Sequence, residues 1–108
     1  MRRGEVRWYT FEPPDKRRPV LILTRSSALS YLSGVTIAPI TTTVRDNPSE
    51  VFLSPEEDGV PSPCAANLDN VQTVPKHKLG ALVATLSAER MAEVERALAF
   101  ALGMARQS

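Results

Sequence analysis

Short runs of strand-forming residues, each stopped by proline, glycine or a polar turn, fill the first 86 residues, and a helical pattern appears only after them. Runs rich in Val, Ile, Thr, Trp and Tyr favour strands, whereas proline cannot donate to a sheet ladder. The predicted strands cover residues 4–11, 20–24, 35–41, 50–53, 64–68 and 79–86. This order predicts a mostly β protein with some α structure, built as a small antiparallel barrel with a C-terminal helix.

Two segments carry further information about the sheet. The continuous aliphatic run at residues 20–24 predicts a central strand that is buried on both faces. Pro39 inside the third predicted strand predicts an edge position, a bulge or a local break there. Residues 69–78 are polar and interrupted by Pro75, and they carry no strand prediction.

Helical signals are few within the strand-rich part. One turn is expected within residues 26–33, with Ser26 or Ser27 as its N-cap, and residues 56–59 are typical of an acidic turn. Ser87 caps the final helix, whose apolar residues follow helical spacing. This stripe consists of Met91, Val94, Leu98, Ala101 and Leu102.

The composition is that of one ordinary globular domain, and we assign residues 1–108 to it. The 108 residues are 43% apolar and 23% charged, which argues against a disordered chain. The longest apolar runs fall far short of the roughly 20 residues that a membrane span needs, and we expect no signal segment. A single cysteine cannot form an internal disulfide, so the sequence does not require an oxidising compartment. We predict a cytoplasmic protein.

Charge is spread unevenly, although the formal net charge is only +1. Residues 1–25 hold seven basic side chains against three acidic ones, and residues 26–70 hold one against six. Because the net charge of the whole chain is so small, it does not indicate a nucleic-acid binder. The basic N-terminal part is able to bind a polyanion, and a surface of merely solubilising arginines is the alternative.

General catalytic motifs such as a Gly-rich phosphate loop or a nucleophile elbow do not occur in the sequence. His77 stands between two lysines, which is typical of an exposed loop rather than of a catalytic base. Cys64 lies among small strand residues, where a buried packing role is the commoner one. One Cys and one His do not make a zinc ligand set, so we predict neither a metal nor a cofactor.

Several short motifs follow one another in a distinctive order. Arg3-Gly4-Glu5-Val6 comes first, then Arg18-Pro19 before an aliphatic strand, then Ile40-Thr41. Residues 67–74, Asn-Leu-Asp-Asn-Val-Gln-Thr-Val, precede Lys78-Leu79. This ordered set resembles the MazF/PemK toxins of bacterial toxin–antitoxin pairs, and the resemblance runs from residue 3 to about residue 104.

The resemblance implies an SH3-like barrel that forms a homodimer and cuts single-stranded RNA at short sequences without a metal, leaving a 2′,3′-cyclic phosphate. It also implies a cognate antitoxin whose C-terminal segment lies in the RNA groove. The matching catalytic positions are Arg18, Thr41 and, from a second branch of the family, Asp69. The RNA-binding residues expected around them are Arg3, Lys16, Arg17, Thr42, Thr43 and Asn67.

These residue types suit attack by the RNA 2′-hydroxyl on the neighbouring phosphate. The Arg18 guanidinium offers fixed charge and a planar fork to phosphate oxygens. The Thr41 hydroxyl orients the phosphate or the 2′-hydroxyl, and an ionised Asp69 is able to accept a proton. The structural alternatives are that Thr41 reflects β propensity and that Asp69 only forms a turn.

Two other functions stay open on such a fold. A CcdB-like non-enzymatic toxin that acts on DNA gyrase lacks the Arg-Pro and Pro-Ile-Thr pair that Arg18 and Thr41 represent here. An SH3-like peptide-binding module needs a cluster of exposed aromatic residues, and the chain is only 6% aromatic. Trp8 and Tyr9 lie on the first predicted strand. We expect one of them either to stack on an RNA base or to pack in the barrel core.

Overall fold

The computed structural model describes residues 1–14 and 16–104, so Asp15 of the first loop and the last four residues of the predicted 1–108 domain lie outside it. Seven strands and two α-helices follow one another along the described chain. They are β1 (Glu5–Thr10), β2 (Arg17–Ile22), β3 (Gly34–Thr41), β4 (Glu50–Leu53), α1 (Pro55–Asp58), β5 (Cys64–Asn67), β6 (Gln72–Pro75), β7 (Leu82–Thr85) and α2 (Ala88–Ala101). The 3₁₀ turns are Ser26–Ala28, Leu68–Asn70 and Lys76–Lys78.

The strands form one curled sheet in the order β4-β5-β3-β2-β1-β7, with β6 also pairing with β3. Every one of these pairs is antiparallel. The predicted small antiparallel barrel with a C-terminal helix is therefore confirmed. Within the described residues, no helix has the length and apolar character needed to cross a membrane.

The central strand β2 is buried on both faces, as its aliphatic run predicts. Val20, Leu21 and Ile22 have no exposed area, and successive side chains of a strand point to opposite faces. Leu21 packs in a large core that also contains Val94 of α2. A second, smaller core lies on the other face and consists of Tyr9, Val20, Ile22, Leu29, Val35, Ile37 and Val74.

Pro39 lies inside β3, which continues through it, and the predicted break affects only the pairing along one edge of the strand. One edge of β3 pairs with β2, with Val20 opposite Pro39. The other edge pairs with β6 up to Ile37 and with β5 from Ile40 onward. Pro39 falls between these two ladders, where its missing N–H leaves no ladder bond unmade. The 3₁₀ turn Leu68–Asn70 connects β5 to β6 and lies beside this gap.

Three local predictions before the final helix are wrong. Residues 56–59, predicted as a turn, end the short helix α1, because a serine cap precedes its proline start. The 3₁₀ turn at residues 26–28 has Arg25 as its N-cap, and the Ser26 hydroxyl instead accepts the backbone N–H of Arg3. The polar stretch after residue 70 contains β6, since its pairing with β3 outweighs weak strand propensity.

Helix α2 begins at the predicted cap, where the Ser87 hydroxyl accepts the backbone N–H three residues along the chain at 3.1 Å. Its inner face buries Met91, Val94 and Ala97. Leu102 is 60% exposed because it follows the last helical residue, so its place in the predicted stripe is wrong.

A cluster of charged side chains joins α1 to α2. Arg90 donates from Nε and Nη2 to the two carboxylate oxygens of Asp58 at 2.8 and 3.2 Å. It also donates to Glu57 at 2.7 Å and to Glu93 at 2.8 Å. The Asp58 side chain is only 3% exposed. The hydrogen bond and charge of Asp58 raise the pKa of Arg90, so the guanidinium remains charged at every accessible pH.

Candidate functional site

A polar groove lies where β2 and β3 separate, and we call it the Arg18 groove. It has two sections, which share Arg18, Pro39 and Asn70. The narrow section, of about 310 Å³, is lined by Arg18, Pro39, Thr41, Thr43, Arg45, Asn67 and Asn70. The wide section, of about 540 Å³, is lined by Phe11, Arg18, Pro39, Asp69, Asn70, Val71 and Gln72.

The sheet register brings Arg18 and Thr41 together. Because Val20 lies opposite Pro39, the same register continued by two residues sets Arg18 beside Thr41. The ladder between β2 and β3 ends at the Val20–Pro39 pair, before that point. Side chains two residues apart on a strand share a face, so Arg18 and Thr41 both line the narrow section that opens between the strands.

The narrow section presents positive charge and a hydroxyl group. Within residues 1–14 and 16–104, neither Arg18 nor Arg45 forms an ion pair. The loop that carries Arg45 is fixed by its backbone N–H, which donates to Glu50 Oε1 at 2.9 Å. The Thr41 oxygen accepts the N–H of Thr43 at 3.1 Å, which leaves its O–H to donate. This set matches the needs of a bound phosphodiester.

The 3₁₀ turn Leu68–Asn70 forms a wall of the wide section. The backbone N–H groups of its first two residues, Leu68 and Asp69, are both hydrogen-bonded. Asn67 Oδ1 accepts the N–H of Asp69 at 2.9 Å, and the N–H of Leu68 donates to the Ser49 carbonyl at 2.9 Å. The Ser49 hydroxyl, on a residue that is 2% exposed, donates to Asp69 Oδ2. Asp69 is exposed, and among the described residues Oδ1 has no hydrogen-bond partner.

Two of the predicted RNA-binding residues at the start of the chain do not line the groove. Arg3 donates from Nε to the Leu23 carbonyl at 3.0 Å and pairs with Glu95 of α2 at 3.2 Å. Lys16 is exposed just before β2 and lines neither section. The structure therefore brings Thr43 and Asn67 to Arg18 and leaves Arg3 beside the C-terminal helix.

Arg17 and Thr42 belong to the opposite face of the sheet. The Arg17 guanidinium lies over the ring of Trp8, 4.2 Å from its centroid. Thr42 lines an apolar pocket of about 160 Å³ together with Trp8. Tyr9 is a core residue, 8% exposed, and its ring meets Phe11 edge-on at 4.8 Å. Neighbouring strand residues alternate in direction, which explains why Arg17 points away from the groove that Arg18 lines.

Sequence reasoning missed several groove residues, and Arg45, Asn70 and Phe11 are three of them. Arg45 is the one basic residue between positions 26 and 70, but its loop position gave no sign of a partner. Asn70 belongs to the motif of residues 67–74 without a predicted role, and Phe11 only ends the first predicted strand. All three reach Arg18 through contacts between distant segments, and no local pattern encodes such contacts.

Cys64 and His77 lie away from the groove. Cys64 is 4% exposed, and its burial together with the Asp58 carboxylate raises the pKa of the thiol, which stays protonated. His77 is exposed in the turn Lys76–Lys78. In the part of the chain that the structure describes, no three His, Cys, Asp or Glu side chains come together to hold a metal ion.

Comparisons with known proteins agree on one family. A family model described as PemK-like, MazF-like toxin of type II toxin–antitoxin system matches residues 2–102. The chain is 45% identical over 91 residues to the endoribonuclease MazF3 of Mycobacterium tuberculosis, which covers 84% of each chain. It is 38% identical over 104 residues to the probable endoribonuclease MazF5 of the same organism, which covers 96% of this chain and 94% of that protein.

Solved structures give the same result. The Mycobacterium tuberculosis toxin MazF-mt6 superposes with a TM-score of 0.85 and 35% identity, over 94% of this chain and 99% of that one. A mycobacterial endoribonuclease in complex with its cognate antitoxin superposes with a TM-score of 0.85 and 27% identity, over 99% of both chains.

Proposed function

The chain belongs to the PemK-like, MazF-like toxins of type II toxin–antitoxin systems, and on this basis we propose that it is a sequence-specific endoribonuclease that cuts single-stranded RNA. The observation that carries the proposal is the shared narrow section, where Arg18, Thr41 and Arg45 face one space. We place the reaction in the cytoplasm, where RNA is made and translated.

In the proposed reaction the 2′-hydroxyl oxygen bonds to the adjacent phosphorus and the bond from phosphorus to the 5′-oxygen breaks. The 2′-hydroxyl loses its proton, the departing 5′-oxygen gains one, and a 2′,3′-cyclic phosphate remains. Arg18 neutralises the charge that grows on the phosphorane oxygens, and Thr41 donates its O–H to orient the phosphate. DNA is not cut because it lacks the attacking hydroxyl.

The remaining site predictions fall into three groups. Thr43 and Asn67 line the narrow section beside Arg18, which supports a role in holding the RNA. The catalytic role of Asp69 stays a prediction, since this residue lines the wide section and its carboxylate accepts the hydroxyl of Ser49. The RNA-binding roles of the other predicted residues, which lie outside the groove, also stay predictions; these residues are Arg3, Lys16, Arg17 and Thr42.

We also propose a cognate antitoxin and a homodimer as partners. The solved structures similar to this chain include an endoribonuclease bound to its cognate antitoxin, which supports the first partner. A peptide carboxylate or an acidic side chain is attracted by the same guanidinium groups that attract phosphate. An antitoxin segment in the Arg18 groove would therefore compete directly with RNA.

The test incubates the purified, antitoxin-free protein with a long single-stranded RNA in EDTA and maps the new ends. We expect discrete cuts with 2′,3′-cyclic phosphate and 5′-hydroxyl ends, and we expect Arg18→Ala to make them about 100-fold more slowly or slower still. Arg25→Ala is the matched control, because Arg25 is an exposed arginine beyond the other end of β2. Intact RNA from the folded wild-type protein, or equal cutting by Arg18→Ala, would refute the proposal.

A further inference from the structure

We propose that the wide section of the Arg18 groove is a nucleobase subsite that accepts bases with an exocyclic amino group and rejects uracil. The inference rests on the proposed RNA cleavage, because it concerns the base that lies beside the scissile phosphate. Asp69 is the residue that reads this base, with Asn70 and Gln72 beside it.

The charges of the groove separate a phosphate from a base. Arg18 lies where the two sections meet and Arg45 lines the narrow one, whereas Asp69, which carries a carboxylate, lines the wide one. A guanidinium attracts a phosphate and a carboxylate repels it. The sugar-phosphate backbone therefore follows the narrow section, and a base enters the wide one.

The Asp69 carboxylate is held in one orientation. Its Oδ2 accepts the hydroxyl of the buried Ser49, and its backbone N–H is fixed by Asn67 Oδ1 at 2.9 Å. Within the described residues Oδ1 has no partner, and Asp69 lines the wide section. An ionised carboxylate only accepts hydrogen bonds, so Oδ1 selects for a donor group.

Bases differ in what they offer to such an acceptor. Adenine, cytosine and guanine carry an amino group, whereas the one imino N–H of uracil lies between two carbonyl oxygens. When the N–H of uracil approaches Oδ1, its two carbonyl oxygens also come close to Oδ1. All of these atoms are acceptors, so they repel one another. The half-buried ring of Phe11 adds an aromatic surface for the base, and Gln72 adds a neighbouring amide.

The test measures binding to fully 2′-O-methylated oligonucleotides of adenine, cytosine or uracil, which cannot be cut because the attacking hydroxyl is blocked. Fluorescence anisotropy at one fixed salt concentration should give about tenfold tighter binding of the adenine or cytosine oligonucleotide than of the uracil one. In Asp69→Asn the ratio should fall to about one, because the amide oxygen still accepts from Ser49 while its NH₂ group donates to a uracil carbonyl.

Glu56→Gln is the matched control, since it removes one exposed carboxylate on α1 and should leave the ratio unchanged. Equal binding of all three oligonucleotides by the wild type, or an unchanged ratio in Asp69→Asn, would overturn the subsite. Loss of all cutting in Asp69→Asn with an unchanged base preference would identify Asp69 as a proton acceptor instead, and would also overturn it.

Cleavage of unmodified RNA separates the two proposals. If the wild type discriminates between the oligonucleotides and Asp69→Asn does not, but no RNA is cut, the subsite stands and the nuclease proposal fails. If RNA is cut and uracil binds as tightly as adenine and cytosine, the nuclease proposal stands and the subsite fails.

Discussion

Removal of the Arg90 guanidinium should destabilise the protein far more than removal of an ordinary surface arginine. In Arg90→Met the aliphatic part of the side chain stays, but Asp58 keeps only the N–H of Ser54, at 2.9 Å, as a described partner. The other two carboxylates that Arg90 contacts belong to Glu57 and Glu93, which are 73% and 44% exposed. Water replaces the guanidinium at these two residues but not at Asp58.

The magnitude follows from these exposures. Each of the two exposed pairs contributes at most about 1 kcal/mol. The Asp58 side chain is 3% exposed, and an ion pair broken at such a site costs about 3–5 kcal/mol. Since a domain has about 5–15 kcal/mol of total stability, we expect Arg90→Met to remove a large part of it.

Urea denaturation, followed by the fluorescence of the single tryptophan, measures the free energy of unfolding. Arg96→Met is the matched control on the same helix, because Arg96 is exposed. Adding Asp58→Asn to Arg90→Met should restore part of the loss, since a neutral amide is less costly to bury than a charge. If Arg90→Met and Arg96→Met lower the stability equally, the reasoning from the buried charge is refuted.

Three smaller changes test other features of the molecule. Burial acts to raise the pKa of Glu5, but the hydrogen bond and charge of Arg7 outweigh it and hold the pKa below its ordinary value of 4.5. The ionised Glu5 therefore adds to the free energy of unfolding above that pH, and this contribution is lost as the pH falls. The drop in urea midpoint between pH 7 and pH 3 should therefore be smaller in Glu5→Gln, and an equal drop would contradict this. Cys64 should react with a thiol reagent only as fast as the protein opens, because it is buried and protonated, and rapid labelling in the absence of urea would show otherwise. Gly59→Ala should lower the free energy of unfolding by about 1 kcal/mol, because residue 59 has a φ of +76° that side chains with a Cβ disfavour. The new Cβ would meet only Ala84, at an ordinary contact distance of 3.8 Å. An unchanged urea midpoint would argue against backbone strain.

Much of the fold could be predicted from local chemistry. Short β-branched runs marked most strands, and Pro39 marked the place where β3 changes partners. Strand β6 could not be found in this way, because its polar residues gain stability from pairing with β3 rather than from their own propensity. Helix α1 was missed because a four-residue helix has too few residues to show a period.

Groove residues that belong to a sequence motif could be predicted. Groove residues that only the fold brings to this place could not. The Arg-Pro and Pro-Ile-Thr motifs identified Arg18 and Thr41, which the register of β2 and β3 places in one groove section. Proximity in sequence was a poor guide for Arg17, because strand alternation turns it toward Trp8. Arg45 was missed because it reaches the groove from a separate loop.

The most direct test of the central claim is a double-mutant cycle on RNA cleavage. If Arg18 and Thr41 act on one phosphate, Arg18→Ala and Thr41→Val should each slow cleavage about 100-fold or more. The double variant should then be only slightly slower than the slower single variant, since residues that act as a unit are not additive. Independent effects, in which the double variant slows by the product of the two single factors, would contradict the claim that both side chains serve the same phosphodiester.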